Sequence, residues 1–398
     1  MSGEHASINK APRRVRSLKS RRDTLAAYML LSPSALIIGV FGIFPLFFTV
    51  YVSLFRWRLA RGRFTGVGNF ISLFGANPLA LVAVCAAVGG AVLAVFLFRH
   101  RSSQQRARGV FGGILLALSL AGFAAALPAL AAQGDKDVFD ALRVTVWYCV
   151  CTVPVQLVAG LLLALLLSRP LRGRQAFRVI SLMPYIAPTV ATAAIFELLF
   201  SLRPDSFANQ VLRLVGISPL QWLQEPKGVF AMIFGGAAQT GATGVIPAYW
   251  AAWAQGPSLA LIAIVFYSWW VFVGYYALIY INGLAAIPRQ LYEAAQMDGA
   301  GKLRSLFSIT LPLLSPTTYF LTLLGVIGTF KAFTQLYVLR NPAVGSAVDP
   351  ISVSIFFTAF RKGNMGYAAA VSLLLFVIVL GLTVAQQRTT GSRVSYGD

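Results

Sequence analysis

Long apolar runs alternate with short charged segments along this 398-residue chain. A hydrocarbon core of about 30 Å needs about 20 helical residues, because backbone groups in lipid must be hydrogen-bonded within their own segment. Eight runs reach that length, and seven of them contain no charged residue. They cover residues 25–55, 78–98, 109–132, 144–168, 179–200, 256–283, 309–330 and 366–387. The pattern predicts an all-α integral membrane protein with about eight transmembrane helices.

The composition also favours a membrane protein over a soluble one. Hydrophobic residues make up 58% of the chain and charged residues only 11%, whereas roughly a quarter of an ordinary soluble domain is charged. The three cysteines lie inside apolar runs, and the two histidines lie in basic flanks without partner ligands. Neither a disulfide framework nor a metal site is therefore expected.

The charged residues indicate which side of the membrane each loop faces. The formal net charge is +21, from 33 lysines and arginines against 12 acids. With the N-terminus inside, 20 of the 33 basic residues fall on the cytoplasmic side, as the positive-inside rule requires. The four arginines of residues 56–63 disagree, because they follow the first span on the outer side. We predict a multi-pass protein of the cell membrane, with a cytoplasmic basic arm at residues 1–24 that meets anionic lipid and not nucleic acid.

One uncharged stretch leaves the number of crossings open. Residues 228–288 contain no charge over 61 positions, which is room for two spans. Its first half, residues 230–254, is rich in Gly and Ala and ends in aromatic residues typical of a membrane interface. We interpret that half as an external or re-entrant insert. A true span there would reverse the side of every later loop.

A polar segment between two apolar runs has the pattern of a short helix. Pro288 fits the first helical position, and Gly299 fits the position just past a helix end. A helix from residue 288 to 298 would be about 16 Å long, too short to cross the bilayer. At helical spacing, Leu291, Ala294, Ala295 and Asp298 lie on one face of this helix. From the pattern alone, an amphipathic helix resting on the membrane surface is the simpler interpretation.

The same segment resembles the EAA loop of binding-protein-dependent ABC importer permeases. The resemblance rests on Glu293-Ala294-Ala295, Asp298-Gly299-Ala300 and Leu311-Pro312, with further similarity at residues 66–70, 140–165, 183–188 and 365–368. The segments at residues 311–316 and 328–338 are most similar to the carbohydrate branch, of the maltose-transporter F-subunit and glycerol-phosphate type.

The resemblance implies a permease fold with a six-helix core. It divides the chain into the arm 1–24, a first transmembrane helix 25–55, an additional two-helix hairpin 78–132 and a permease core 140–388, with the EAA loop at 286–316. In the family this loop docks into an ATPase subunit. The implied coupling residues are Glu293, Ala294, Ala295, Asp298, Gly299 and Pro312. The implied partners are an ABC ATPase dimer, a second homologous permease, an extracytoplasmic solute-binding protein and the lipid bilayer.

The chain also departs from the family pattern at three places. The hairpin within residues 77–134 and the insert at residues 228–255 are additional, and the segment after Val338 is degraded. The chain has no phosphate-binding loop, since Gly299-Ala-Gly-Lys302 lacks both the first glycine and the hydroxyl residue of that motif. We therefore expect a transport subunit that is not an enzyme and holds no cofactor, with ATP bound by the partner ATPase.

Polar and aromatic residues inside the apolar runs suggest a sugar or polyol substrate. Aromatic faces stack on the C–H faces of a sugar, and its hydroxyls need hydrogen-bonding partners. The candidate substrate path consists of Tyr275, Tyr276, Asn282, Thr329 and Gln335. For any single tyrosine, an anchoring role at the lipid interface is the simpler interpretation.

An ion-coupled secondary transporter of a polar solute is the alternative function. It requires carboxylates near the middle of the membrane. Glu197 is the only acid within an apolar run, and the nearby Arg203 and Pro204 favour an interfacial position over a proton carrier. The residues therefore favour an ATP-driven sugar importer.

Overall fold

The computed structural model describes residues 19–58, 60–76, 106–169, 172–235 and 248–389, together with positions 79, 82, 83, 86 and 90. The described chain is helical, with two isolated β-bridges, Phe55–Phe64 and Gly228–Ser258, as its only extended pairings. It divides into two units, Met1–Tyr51 and Val52–Asp398. The first unit is described through one long helix, and the second contains the candidate sites.

Helix α1 forms the described part of the first unit. It runs through Lys19–Ile37, a π-helical segment at Ile38–Ile43, and Phe44–Ser53. Most of its apolar side chains up to Tyr51, where the first unit ends, are exposed, as Leu30 at 81% and Phe41 at 77% illustrate. A helix that is apolar on its outer surface is stable in lipid and not in water.

The second unit contains, in the described ranges, fifteen further α-helices of four or more residues, besides shorter helical turns and π-helical segments. They are α2 (Gly68–Phe74), α3 (Arg106–Gln133), α4 (Lys136–Leu167), α5 (Arg174–Ile186), α6 (Thr189–Leu199), α7 (Phe207–Leu214), α8 (Val229–Phe234), α9 (Ala248–Ala254), α10 (Leu259–Ala285), α11 (Arg289–Met297), α12 (Lys302–Ser305), α13 (Ser315–Phe330), α14 (Thr334–Val338), α15 (Ile351–Phe356) and α16 (Met365–Thr389). A π-helical segment, Leu306–Thr310, and the turn Leu311–Leu313 connect α12 to α13.

Five helices of the described part are long and apolar enough to cross a membrane. They are Thr24–Ser53, Lys136–Leu167, Leu259–Ala285, Ser315–Val338 and Met365–Arg388, and the bent pair α5–α6 would make a sixth. The predicted run 109–132 lies within α3, whereas most of the run 78–98 lies outside the described residues. The all-α membrane fold is confirmed, and the total of eight spans and the domain boundaries stay predictions.

The run 179–200 does not form the single continuous helix that its apolar pattern predicts. α5 and α6 meet at an angle of 96°. The break lies at Ala187, whose φ of −65° and ψ of 147° are extended, followed by Pro188. Because a proline crowds the preceding residue and lacks an N–H, the helix ends there and starts again.

Close packing between α4 and α10 forms the centre of the second unit. A Cβ added at Gly160 of α4 would lie 2.6 Å from the Cβ of Tyr276 on α10. A Cβ added at Gly274 of α10 would overlap the carbonyl group of Ser181 on α5. Glycines let helix backbones approach closely where lipid provides no hydrophobic driving force between helices. The two glycines therefore bring α4 and α5 into close contact with α10.

The two additional segments each return to the place where they leave the core. The amide of Asp135 donates to the carbonyl of Leu73 at 3.0 Å, which joins the two ends of the additional hairpin. The bridge between Gly228 and Ser258 joins the ends of the insert. The insert therefore re-enters the core beside its point of departure, and its external or re-entrant placement stays a prediction. The core can keep its family arrangement because neither addition separates the helices that flank it.

Candidate functional site

Helix α11 lies in the segment that resembles the EAA loop, and both of its ends are well defined. Pro288 is the N-cap, with φ −60° and ψ 131°, and not the first helical residue as predicted. Gly299 follows the C-cap Asp298 with a φ of +73°. The amide of Ala300 donates to Ala295 O at 2.8 Å and that of Gly299 to Gln296 O at 3.0 Å. These two bonds form a Schellman motif, which explains why a glycine stands at residue 299.

One side of α11 is attached to the core, and the rest is exposed. The hydroxyls of Tyr292 and the buried Thr310 are 2.9 Å apart, and Tyr292 packs against the cluster that contains Ile287. Ala295 is half-buried on the same side. The remaining predicted coupling residues, Glu293, Ala294, Asp298, Gly299 and Pro312, are exposed. The structure thus offers most of this set to another molecule.

A central cavity of about 210 Å³ lies beside the α4–α10 interface, bordered by α13 and α14. It brings together four of the five residues predicted for the substrate path, namely Tyr275, Tyr276, Thr329 and Gln335. Asn282 is exposed and does not line this cavity. It lies seven residues after Tyr275, which is about 10 Å further along the helix axis.

Sequence reasoning missed the contribution of α4 to this cavity. Tyr148, Thr152 and Gln156 line it from α4, and Phe272 lines it from α10. The amide of Gln156 inside an uncharged run was a usable signal, because a buried amide in lipid is costly unless it meets a partner or a cavity.

The hydrogen bonds around the cavity run in one direction. The Ser268 hydroxyl donates to the carbonyl of Ile264 at 3.0 Å, so it accepts from the Tyr148 hydroxyl at 2.7 Å. The Tyr148 oxygen in turn accepts from Nε2 of Gln335 at 3.1 Å. The two hydroxyl donors of this chain are used inside the protein, and so is one of the two N–H groups of Gln335. The Oε1 atom of Gln335 is thereby left as an acceptor for a ligand hydroxyl.

Two further polar groups at the cavity extend this acceptor-rich lining. Gln156 donates through Nε2 to the carbonyl of Ser268 at 3.1 Å, which leaves its Oε1 as a second acceptor. The hydroxyl of Thr152 is buried and has no hydrogen-bond partner. The described residues contain no group of three or more His, Cys, Asp or Glu that could hold a metal ion. The cavity is therefore suited to a neutral, hydroxyl-bearing molecule.

Comparison with known proteins identifies the family. Residues 156–388 match the binding-protein-dependent transport system inner membrane component family. The chain belongs to this family. It is thus a permease subunit of an ABC transport system, as the EAA resemblance implied.

Individual members of the permease family resemble the chain over most of its length. The sn-glycerol-3-phosphate transport system permease protein UgpA of Agrobacterium fabrum is 32% identical over 283 residues, 70% of this chain and 83% of that protein. The trehalose/maltose transport system permease protein MalF of Thermococcus litoralis is 32% identical over 241 residues, covering 61% and 70%.

A solved permease structure shares the fold. The crystal structure of a bacterial alginate ABC transporter, in complex with an alginate pentasaccharide-bound periplasmic protein, contains a chain that aligns with a TM-score of 0.60. The alignment covers 96% of this chain and 100% of that chain at 17% identity. This similarity supports the permease fold assigned above.

Proposed function

We propose that this permease is the sugar-translocating subunit of a heteromeric ABC importer and has no ATPase site of its own. An ATPase dimer supplies the energy, a second homologous permease completes the pore, and an extracytoplasmic binding protein delivers the solute. The N-terminus and α11 face the cytoplasm. Closure of the ATPase dimer moves α11 as a rigid body and switches the access of the central cavity.

The observation that carries this proposal is the exposed, well-capped helix α11. A short helix closed by a Schellman motif can transmit a push without unwinding, because its last carbonyls are already bonded. The contact of Tyr292 with Thr310 connects that push to the segment leading into α13. The exposed Glu293 carboxylate can pair with a basic group of the ATPase.

The central cavity supports a sugar as the solute. Its free acceptors at Gln156 and Gln335 suit ligand hydroxyls, and the rings of Tyr275 and Tyr276 suit the C–H faces of a sugar. Two relatives are named for trehalose/maltose and sn-glycerol-3-phosphate. A neutral lining favours an uncharged sugar over a phosphorylated one.

Purification of the tagged chain in mild detergent tests the assembly. We expect to recover an ATPase, a second permease and an extracytoplasmic binding protein. Recovery of a homo-oligomer alone would contradict the heteromeric importer and favour the ion-coupled alternative.

A pair of glycine variants tests coupling through α11. G299D places a side chain at a φ of +73°, which strains the Schellman motif. G301D is the matched control, since Gly301 has a φ of −69° and open space around its Cα. We expect ATP-driven sugar uptake to be lost in G299D and retained in G301D. Equal uptake in both variants would contradict coupling through this helix.

A further inference from the structure

A second polar depression lies at the opposite end of α10 from α11. Its volume is about 310 Å³, and it is lined from the end of α6, from the segment before α8, and from the segment after α14. Its floor is formed by Leu223 and Leu339, which belong to the same buried cluster as Leu259 at the start of α10. We call it the outer pocket, since the proposed topology puts this end of α10 outside.

Five of the polar side chains of the outer pocket have no partner among the described residues. Glu197, Ser201, Arg203, Gln221 and Gln224 all line it, and their side chains make no hydrogen bond or ion pair with any described residue. Glu197 and Arg203 carry opposite charges at one depression without pairing. Such an arrangement leaves both donors and acceptors available to a single ligand.

A larger depression near the start of α4 provides the contrast. It has a volume of about 590 Å³, and of its polar side chains only that of the exposed Arg56 makes no hydrogen bond or ion pair with a described residue. Asn69 donates to the carbonyls of Ser53 at 2.7 Å and Phe55 at 3.1 Å, and Asp135 accepts from the hydroxyl of Tyr367. The volume of a depression therefore does not distinguish a ligand site here. The number of polar side chains without a partner does, and it favours the outer pocket.

We propose that the outer pocket is a second sugar-binding site, separate from the central cavity, that takes a neutral sugar from the outer side. Carboxylate and amide oxygens accept from sugar hydroxyls, while the guanidinium and amide N–H groups donate to them. The half-buried Phe200, which is itself stacked on Phe196 with ring centroids 4.3 Å apart, adds an apolar side to the pocket. The charges of Glu197 and Arg203 balance, so an uncharged sugar leaves no net charge unpaired.

Helix α14 connects the two sites. Gln335 on this helix lines the central cavity, whereas Leu339 and Asn341, just after it, line the outer pocket. Asn341 uses its Oδ1 atom to accept from the amide of Ala343 at 2.9 Å, so its Nδ2 group is left for the outer pocket. A sugar bound in the outer pocket is thus held one short helix away from the central path. The outer pocket is the site that a sugar meets before that path.

Cysteine protection in the assembled transporter tests this proposal, which rests on the proposed sugar import. S201C is made in a chain whose native cysteines are replaced by Ala, and L202C is a second reporter at the same depression. A membrane-impermeant maleimide is applied from outside with maltose, trehalose or lactose. Only the sugar-free site reacts with the maleimide. The labelling rate therefore falls by a factor of 1 + [L]/Kd, where [L] is the sugar concentration, which is about threefold when the sugar is at twice its Kd. S72C, which lines the larger depression, is the control and should react at one rate throughout.

The outcomes separate failure of this site from failure of the proposed function. We expect the sugar that is transported to protect S201C or L202C, and E197Q in the same chain to abolish the protection. Q335A should lower uptake and leave the protection intact, because Gln335 lines the other cavity. Uptake of a sugar that protects neither reporter would overturn the outer site alone. If the transporter takes up no sugar at all, the proposed sugar import itself is contradicted.

Discussion

The two ends of α10 differ in what they leave for other molecules. Along its first half, α10 lies in a closed cluster where the hydroxyls of Tyr267 and Thr192 are 2.7 Å apart and Ser258 caps the helix start. Past its other end, α11 is exposed and is bonded to the core through Tyr292. The side chains of α10 in this cluster bond inside the protein, whereas α11 presents its polar side chains outward; the outer pocket lies beside the cluster, on α6 and on the segments before α8 and after α14.

The difference teaches that stability and coupling reside in separate parts of this permease. A buried group that loses its partner costs about 1–3 kcal/mol, so changes in the packed region should lower stability first. Exposed positions rarely change stability by more than about 0.5 kcal/mol. Changes on α11 should therefore remove transport from a chain that remains folded.

The largest expected effect is the loss of uptake in E293K. Reversing the charge of this exposed side chain disrupts pairing with a basic group on the ATPase. We expect ATP-driven uptake to fall by about tenfold or more, the size of an ordinary coupling free energy of 1–3 kcal/mol. The melting temperature of the purified chain should stay unchanged. D205K reverses an exposed acid in a loop far from α11 along the chain and should keep uptake. A lowered melting temperature in E293K would place this helix in the stabilising region instead.

The next effect is a loss of stability in G274A. The added methyl group would overlap the backbone of Ser181, and overpacking of this kind costs about 1–3 kcal/mol. G328A is the matched control, because Gly328 lines the central cavity and has nothing within 4 Å of an added Cβ. Thermal unfolding in detergent should show a lowered melting temperature for G274A only. G328A should instead weaken uptake, since it narrows the cavity. Equal melting temperatures would mean that α5 can move away from α10 without cost.

A smaller effect is expected for Y148F. Removing the hydroxyl leaves Nε2 of Gln335 without its acceptor and Ser268 without its donor. The lost bonds cost about 1–3 kcal/mol at most, and Gln335 becomes free to turn in the cavity. We expect a raised KM for sugar uptake. Y280F also loses one hydroxyl bond, to Thr318 at 3.2 Å, but lies outside the cavity and should leave KM unchanged. Identical KM values in the two variants would contradict a role for Gln335 in binding.

The sequence predicts the exposed region better than the packed one, and the reason is physical. The EAA segment is continuous in sequence, so Gly299 and the helix before it can be read from neighbouring residues. The cavity is formed by residues that are far apart in the chain, as Tyr148 and Gln335 are, and only packing brings them together. Four cavity residues were still predicted, because a hydrogen-bonding side chain inside an apolar run needs a partner or a cavity. Pro188 is a local indication of the bend at Ala187, but the apolar pattern used to predict the span 179–200 contains no information about a bend.

The smallest effect concerns the two additional segments, which extend the comparison to a third region. Nε1 of Trp250 on α9 donates to the carbonyl of Ala124 on α3 at 2.7 Å, so the insert and the additional hairpin are attached to each other. W250F removes a bond worth about 0.5–1.5 kcal/mol. Because both segments leave and rejoin the core at joined ends, this cost should remain local. Hydrogen exchange at residues 248–254 should accelerate while uptake and the melting temperature stay the same.

W269F is the control variant. It removes the bond from Trp269 to the carbonyl of Cys151 in the α4–α10 interface and should lower the melting temperature. If W250F lowers it equally, the additional segments are part of the stabilising core and not attachments to it.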